Sequence, residues 1–342
     1  MTLLFLEGFE HHGSTNANLD STLTRKYFSR TGAWEILSGR SGGNAASGNF
    51  TSDDITIEFT TETEIIIGFA MKFREINANS ADPLVRFLNP SGSHISSFHR
   101  GTSGDPRLIS NDNTLYTSSE KWSPFTWNYF EIRIVAGTDS SNGELELMMN
   151  GKQIINETGV DTLAITPGVA RINFSGSDHF DPVIDDIYII NTQGSVNNTF
   201  LGDVKVEAVF PDGAGNTTDL LPTGAASNHE AVDDNPFDDD TSYASSSTFE
   251  DKDTYTVANL SDITQGIVGV QMLPNARKAI ATGTRALTSV VRSGTTDYDQ
   301  TESNLTTSYD YYPAIVELDP DTGSAWTVSG FNSAEFGYRI SV

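Results

Sequence analysis

The sequence predicts an all-β protein built as two successive β-sandwiches, and three observations carry that expectation. Apolar residues recur with a period of two rather than 3.6. Gly, Ser, Asn and Asp cluster between the apolar runs, where turns are needed. No amphipathic helix of ten residues stands out. At 342 residues the chain is long enough for about two domains of roughly 150 residues each.

Taken in order, residues 3–9 (LLFLEGF) read as an opening strand, followed by 55–59 (ITIEF) and 64–73 (EIIIGFAMKF). In 127–135 (WNYFEIRIV), Phe130, Ile132 and Ile134 fall on one face and Glu131 and Arg133 on the other, as side chains alternate along a strand. Residues 144–149 (ELELMM) run into Asn150-Gly151 and then KQII. Asn-Gly between two such runs signals a hairpin, because a type I′ turn needs positive φ at both central residues. Runs at 170–174 and 183–190 complete a first unit. The small, polar stretch 191–199 (NTQGSVNNT) reads as a seam. The expected domains are therefore 1–193 and 203–342, joined by a linker at 194–202. Beyond the seam, strands are expected at 203–210, 253–257, 266–273, 286–292, 308–318 and 336–342, with at most one helical turn at 277–281.

The charge balance excludes several partners. Lys+Arg number 20 against 46 Asp+Glu, a net charge of −26. Phosphate backbones and anionic membrane surfaces would repel such a chain, so neither nucleic acid nor membrane insertion is expected. Cys is absent, which removes disulfides, thiolate metal sites and a Cys nucleophile. No apolar stretch approaches the roughly 20 residues of a membrane helix. The acids are densest at 233–240 (DDNPFDDD). That run lacks the Gly and Glu positions of an EF-hand loop, so Asp238, Asp239 and Asp240 are expected in a turn or a subunit contact. Trp326 reads as a core residue or an interface anchor. Pairs His11-His12 and His94/His99 lack a third ligand of convincing spacing and read as hydrogen-bonded histidines.

The segment from Trp122 to Ile190 has a more specific order. A Trp-led strand is followed by a Gly/Ser/Asp turn, a strand ending in Asn150-Gly151-Lys152, and finally Ile184-Asp185-Asp186-Ile187-Tyr188-Ile189. This resembles the laminin-G-like branch of the concanavalin A-like sandwiches over residues 1–193. The resemblance implies a jelly-roll sandwich whose last strand lies beside the N-terminal one. It also directs attention to Asp178, Asp181, Asp185 and Asp186, since such sandwiches hold Ca²⁺ at a loop rim; the alternative is turn residues facing solvent. Glucanases of this fold carry Glu-x-Asp-x-x-Glu on one strand, which this sequence lacks, so the chain is expected not to be an enzyme.

The second half, through 200–210, Asp238–Tyr243 (DDDTSY), Val291-Arg292-Ser293-Gly294 and 319–326 (DPDTGSAW), resembles tailed-bacteriophage virion proteins that couple such a sandwich to a smaller β domain. That resemblance implies a structural protein of the particle, tail-associated as a fibre, tip or collar, assembled in the host bacterial cytoplasm. Its partners would be other virion proteins and further copies of itself, a trimer being the expected symmetry. Capsid decoration as a head fibre is the alternative. A carbohydrate-binding module is another, contacting host-surface polysaccharide through the loop aromatics Phe98, Tyr116, Trp122 and Phe125.

Overall fold

The computed structural model describes residues 2–76, 82–163, 168–261 and 266–341. The chain divides into two compact units, Met1–Glu207 and Ala208–Val342, and both are built of antiparallel β-structure.

Fifteen strands make up the first unit: β1 (Leu3–Glu7), β2 (Ser29–Arg30), β3 (Trp34–Ser38), β4 (Asn44–Gly48), β5 (Asp54–Glu62), β6 (Glu64–Phe73), β7 (Pro83–Leu88), β8 (His94–Arg100), β9 (Pro106–Ser110), β10 (Leu115–Thr117), β11 (Asn128–Val135), β12 (Gly143–Met149), β13 (Lys152–Val160), β14 (Val169–Ser175) and β15 (Pro182–Asn191). They form an eight-stranded sheet, β13-β12-β11-β6-β15-β4-β3 with β1 also on β15, and a seven-stranded sheet, β10-β9-β8-β7-β14-β5-β2. The expected hairpin is present: Asn150 and Gly151 have φ of 50° and 77°. So is the expected pairing of the last strand with the first, Phe5 opposite Ile189 and Glu7 opposite Ile187.

Alternation along the strands explains why the two sheets close face to face. Phe69 on β6 lies 5.7 Å from the ring of Phe130 in its own sheet, and 5.9 Å and 5.4 Å from Phe98 and Phe174 of the other. All four rings are buried. Aromatic pairs at such spacing add to the area they remove from water.

Among the described residues, one helix of more than ten residues departs from the all-strand expectation. Helix α1 (Asn16–Lys26) starts at Thr15, whose side chain accepts from Asn18 N at 3.2 Å, and it buries Leu19, Thr22 and Leu23. The stripe is only three residues wide on an otherwise polar helix, so its apolar periodicity is faint in the sequence.

The first unit also extends past the expected seam. Leu201 N donates to Tyr188 Oη at 3.2 Å, Gly202 N to Glu131 Oε1 at 2.8 Å and Val206 N to Asp186 Oδ1 at 2.7 Å. Arg40 Nη2 donates to Val204 O at 2.6 Å. Residues 203–210 are not a strand, and 201–206 are held by side chains of the sandwich rather than by a neighbouring ladder.

The second unit has a five-stranded sheet of Pro211–Thr218, Lys252–Val257, Glu335–Ser341, Ala286–Ser293 and Thr296–Asn304 in that order. The ribbon Val270–Met272 with Ala314–Val316 contributes Met272, Ala314 and Val316 to a core shared with Val291, Phe336, Phe331 and Trp326. The expected run 308–318 is broken into three short strands, and 277–281 is not helical. Val342, the last residue of the expected final strand, lies outside the described residues. Trp326 is 2% exposed and its Nε1 donates to Val316 O at 3.0 Å, so it is an internal anchor rather than an interface residue.

Candidate functional site

The outward face of the seven-stranded sheet carries a row of polar side chains where solvent-facing strands would ordinarily show scattered charges. In β9 the pattern is explicit: Leu108 is buried in the core while Arg107 and Ile109 face outward. Register then aligns Thr56, Asn173, Arg86, Ser97 and Ile109 across five neighbouring strands. Side-chain hydrogen bonds join the row in two separate stretches. Asn173 Nδ2 donates to Thr56 Oγ1 at 3.0 Å. Arg86 Nη1 donates to Asn173 Oδ1 at 2.8 Å and to Ser175 Oγ at 2.6 Å, with Asp54 Oδ1 further off at 3.4 Å. Ser97 Oγ lies 2.8 Å from His99 Nε2 and 3.0 Å from His94 Nε2.

A cavity of about 400 Å³ opens over this row, lined by Pro83, Arg86, His94, Ser97, His99, Ile109, Asn111 and Asn113. Among the described residues its lining contains a guanidinium, two imidazoles, two amides and a hydroxyl, and no carboxylate. In a chain with 46 acids against 20 basic residues, that composition is a local reversal of charge. Burial, and then the neighbouring Arg86, hold His94 below the ordinary imidazole range, so it is neutral near pH 7. Neutral imidazole both donates and accepts, as do amides and hydroxyls. The surface thus offers mixed donors and acceptors at fixed positions on a rigid sheet, beside one held cation.

Six of these lining residues come from β7, β8 and β9, strands that the sequence reading did not identify, and Asn111 and Asn113 come from the turn after β9. A usable signal exists in 94–100 (HISSFHR), where Ile95 and Phe98 face the core while His94, Ser97 and His99 face out, and in the turn clusters Asn89-Pro90-Ser91-Gly92 and Gly101-Thr102-Ser103-Gly104 that bracket it. The bulge at Phe87/Leu88 shifts the register and masks the simple alternation.

The expected glycan-contact aromatics do not form a platform. Phe98 is fully buried and Trp122 is 3% exposed, with Trp122 packed 4.3 Å from Phe73 and 4.6 Å from Phe130 by ring centroids. Both are core residues, because the Trp-led segment folds inward beneath the sheet. Tyr116 packs against the same core from the edge strand β10. Phe125 alone is well exposed, at 63%.

The expected calcium ligands separate into different bonding groups. Asp178 Oδ1 lies 3.0 Å from His179 Nδ1, and Asp181 Oδ2 lies 3.4 Å from Arg74. Asp185 Oδ2 accepts from Arg40 N at 2.7 Å, and Asp186 Oδ2 accepts from Arg40 Nε at 2.8 Å. Arg40 therefore occupies the charge-neutralising position that a cation would take beside Asp185 and Asp186. Burial and the Asp186 charge raise the Asp185 carboxyl to about 7. Burial first, then Asp185 and other acids, raise Glu10 to about 9 against its own backbone hydrogen bond.

Two groups of ligand-type atoms do converge among the described residues: Asp82 with Asp178 and His179, and Glu7 with His11 and His12. The second is buried and already has its cation. Glu7 Oε2 lies 3.0 Å from Lys26 Nζ, 3.0 Å from Tyr27 Oη and 3.2 Å from His12 Nε2, and Oε1 accepts from Phe9 N at 2.6 Å. Burial alone would raise the Glu7 carboxyl; the Lys26 ammonium and the two histidines overcome it and hold it well below the usual range. His11-His12 is thus part of a buried polar network, in keeping with hydrogen-bonded histidine.

The acidic run in the second unit is satisfied within its own unit. Asp238 Oδ1 accepts from Ser242 N and Oγ at 3.0 Å, Asp239 Oδ1 from Asn275 Nδ2 at 3.0 Å, and Asp240 Oδ1 from Arg277 and Tyr309 at 2.7 Å and 3.0 Å. These bonds fix a surface turn.

No protein-family model matches the chain, and no curated protein matches it. Among solved structures it is similar to the cellulose-induced protein Cip1, at 15% identity over 50% of this chain and 88% of that one, with a TM-score of 0.38. It is similar to domain 4 of AbnA, an extracellular GH43 arabinanase from Geobacillus stearothermophilus in complex with arabinotriose, at 14% identity over 55% and 92%, TM-score 0.39. It is also similar to the alginate lyase Aly36B in complex with alginate tetrasaccharide, at 11% identity over 54% and 95%, TM-score 0.34. Likeness at this level speaks for the fold alone, and the expectation that the chain is not an enzyme does not stand. That expectation rested on the absence of one glucanase motif, and a single motif does not represent all the chemistry found on sandwiches.

Proposed function

We propose that the N-terminal sandwich binds a saccharide chain on the outward face of its seven-stranded sheet. One observation carries this reading: a cavity over the sheet is lined, among the described residues, by mixed hydrogen-bonding side chains without a carboxylate, with Ser97 bonded to both histidines and Arg86 held by Asn173. Sugar hydroxyls are both donors and acceptors, and prefixed amides, imidazoles and a guanidinium bind them with little loss of side-chain freedom. A sheet face also suits an extended polymer, since neighbouring strands repeat every 4.7–4.9 Å or so. If the chain is carried on a phage particle, as the sequence resemblance implies, this face would be its contact with host-surface polysaccharide.

The test is a glycan array probed with the intact chain and with Ile109→Trp, which fills the cavity from a half-buried position. Binding by the parent and its loss in the variant, with unchanged thermal melting, is the expected outcome. Binding that survives Ile109→Trp and disappears on Phe125→Ala would place the contact on the loop and overturn the assignment.

A further inference from the structure

Resting on that reading, we infer that the saccharide is acidic, and that Arg86 takes its repeating carboxylate. A polymer of uronic acid residues is the substrate class that fits. The reasoning starts from the field. A net charge of −26 repels polyanions from most of this surface, so a neutral ligand would need no basic residue in its site. Yet the cavity lining holds an arginine, and its eight described residues include no acid.

Neighbouring cations are treated differently from Arg86. On the same face Arg171 is paired with Glu58 at 2.8 Å, and Arg107 is paired with Asp105. Their charges are consumed within the protein. Arg86 Nη1 donates to the neutral acceptors Asn173 Oδ1 and Ser175 Oγ, and its ion pair with Asp54 is longer, at 3.4 Å. Its side chain remains 31% exposed. A guanidinium has five donors in a planar fork, and a carboxylate matches two of them at once. All three of these contacts use Nη1, and the two neutral acceptors orient the fork without adding to the Asp54 charge. Ser97 sits opposite Arg86 on the next strand with its two imidazoles, placing hydroxyl-binding groups beside the carboxylate position.

The experiment compares polygalacturonate with the same polymer after chemical reduction of its carboxyl groups to primary alcohols. Binding of the intact chain to each is measured by affinity electrophoresis, alongside alginate as a second uronan. The acidic polymers should bind about tenfold or more tightly than the reduced one, as loss of a charge-assisted hydrogen bond implies. Arg86→Gln should remove that difference while leaving the weaker binding to the reduced polymer, and Arg86→Lys should restore part of it. Equal binding to acidic and reduced polymers, unaffected by Arg86→Gln, would overturn the acidic assignment and leave saccharide binding standing. Failure of every polymer and every arrayed glycan to bind would overturn the binding reading itself, and this inference with it.

Discussion

Arg86 on β7 and Asn173 on β14 face each other across adjacent strands, with Nη1 of the first 2.8 Å from Oδ1 of the second. Asn173 is itself anchored to Thr56 on β5, so a chain of neutral hydrogen bonds fixes the one guanidinium in the cavity lining. Asn173→Leu should cut this chain. Saccharide affinity is expected to fall about fivefold, and stability by about 1–2 kcal/mol because the Arg86 and Thr56 groups lose a buried partner. Calorimetric titration and melting of the same sample separate the two effects.

His94 reports on the same arginine. Its imidazole is held low by burial and then by Arg86, so Arg86→Gln should raise its titration midpoint toward, but not to, the ordinary value. The ring-proton chemical shift of His94 followed against pH measures this. A midpoint unchanged in the variant would show that Arg86 does not act on it.

Trp122→Ala should behave as a core mutation. The ring is enclosed by Phe73, Phe98 and Phe130, and its truncation should cost about 3–5 kcal/mol. Chemical denaturation would show a lowered midpoint. The fraction that remains folded should still bind saccharide.

Glu10 makes stability depend on pH in a stated direction. Its folded-state value is raised to about 9, so the folded chain binds more protons than the unfolded one between about 4.5 and 9. The stability contributed by the protonated carboxyl is complete below the unfolded value and is lost as pH rises through the folded value. Glu10→Gln cannot ionise and should melt higher than the parent at pH 9, with the two converging near pH 4. Melting across that range is the measurement.

Gly68 faces the ring of Tyr188 so closely that an added Cβ would lie 2.0 Å from Cε1. Tyr188 donates to the buried Glu131, which also accepts from Gly202 N. Gly68→Ala should therefore displace the tyrosine and loosen 201–202 as well, at a cost of about 2–4 kcal/mol. Hydrogen exchange at the Gly202 amide should accelerate together with the drop in melting temperature.

The sandwich was legible in the sequence where burial on one face is strict. β11, β12 and the Asn150-Gly151 turn alternate cleanly, and β15 with β1 followed from their order. Helix α1 was not legible, since Leu19 and Leu23 are nearly its whole apolar stripe and its stability comes from Thr15 and from packing. The cavity was missed for a different reason. Its residues are mostly polar side chains on the outer face of three strands and the turn after β9, a pattern any solvated sheet shares, and only the register between Arg86, Ser97 and Ile109 makes them one surface. Phe98 and Trp122 attracted attention as aromatics in apparent loops, yet one lies on β8 facing inward and the other folds beneath it.

The central claim concerns which face meets the sugar, and the histidines read it directly. Two of the six, His94 and His99, line the cavity. In a titration of the intact chain with galacturonate oligosaccharide, followed by ring-proton correlation spectra, the resonances of His94 and His99 should shift in a saturable manner while those of buried His12 stay fixed. Saturable shifts confined to resonances of the loop around Phe125, with His94 and His99 unmoved, would contradict the account.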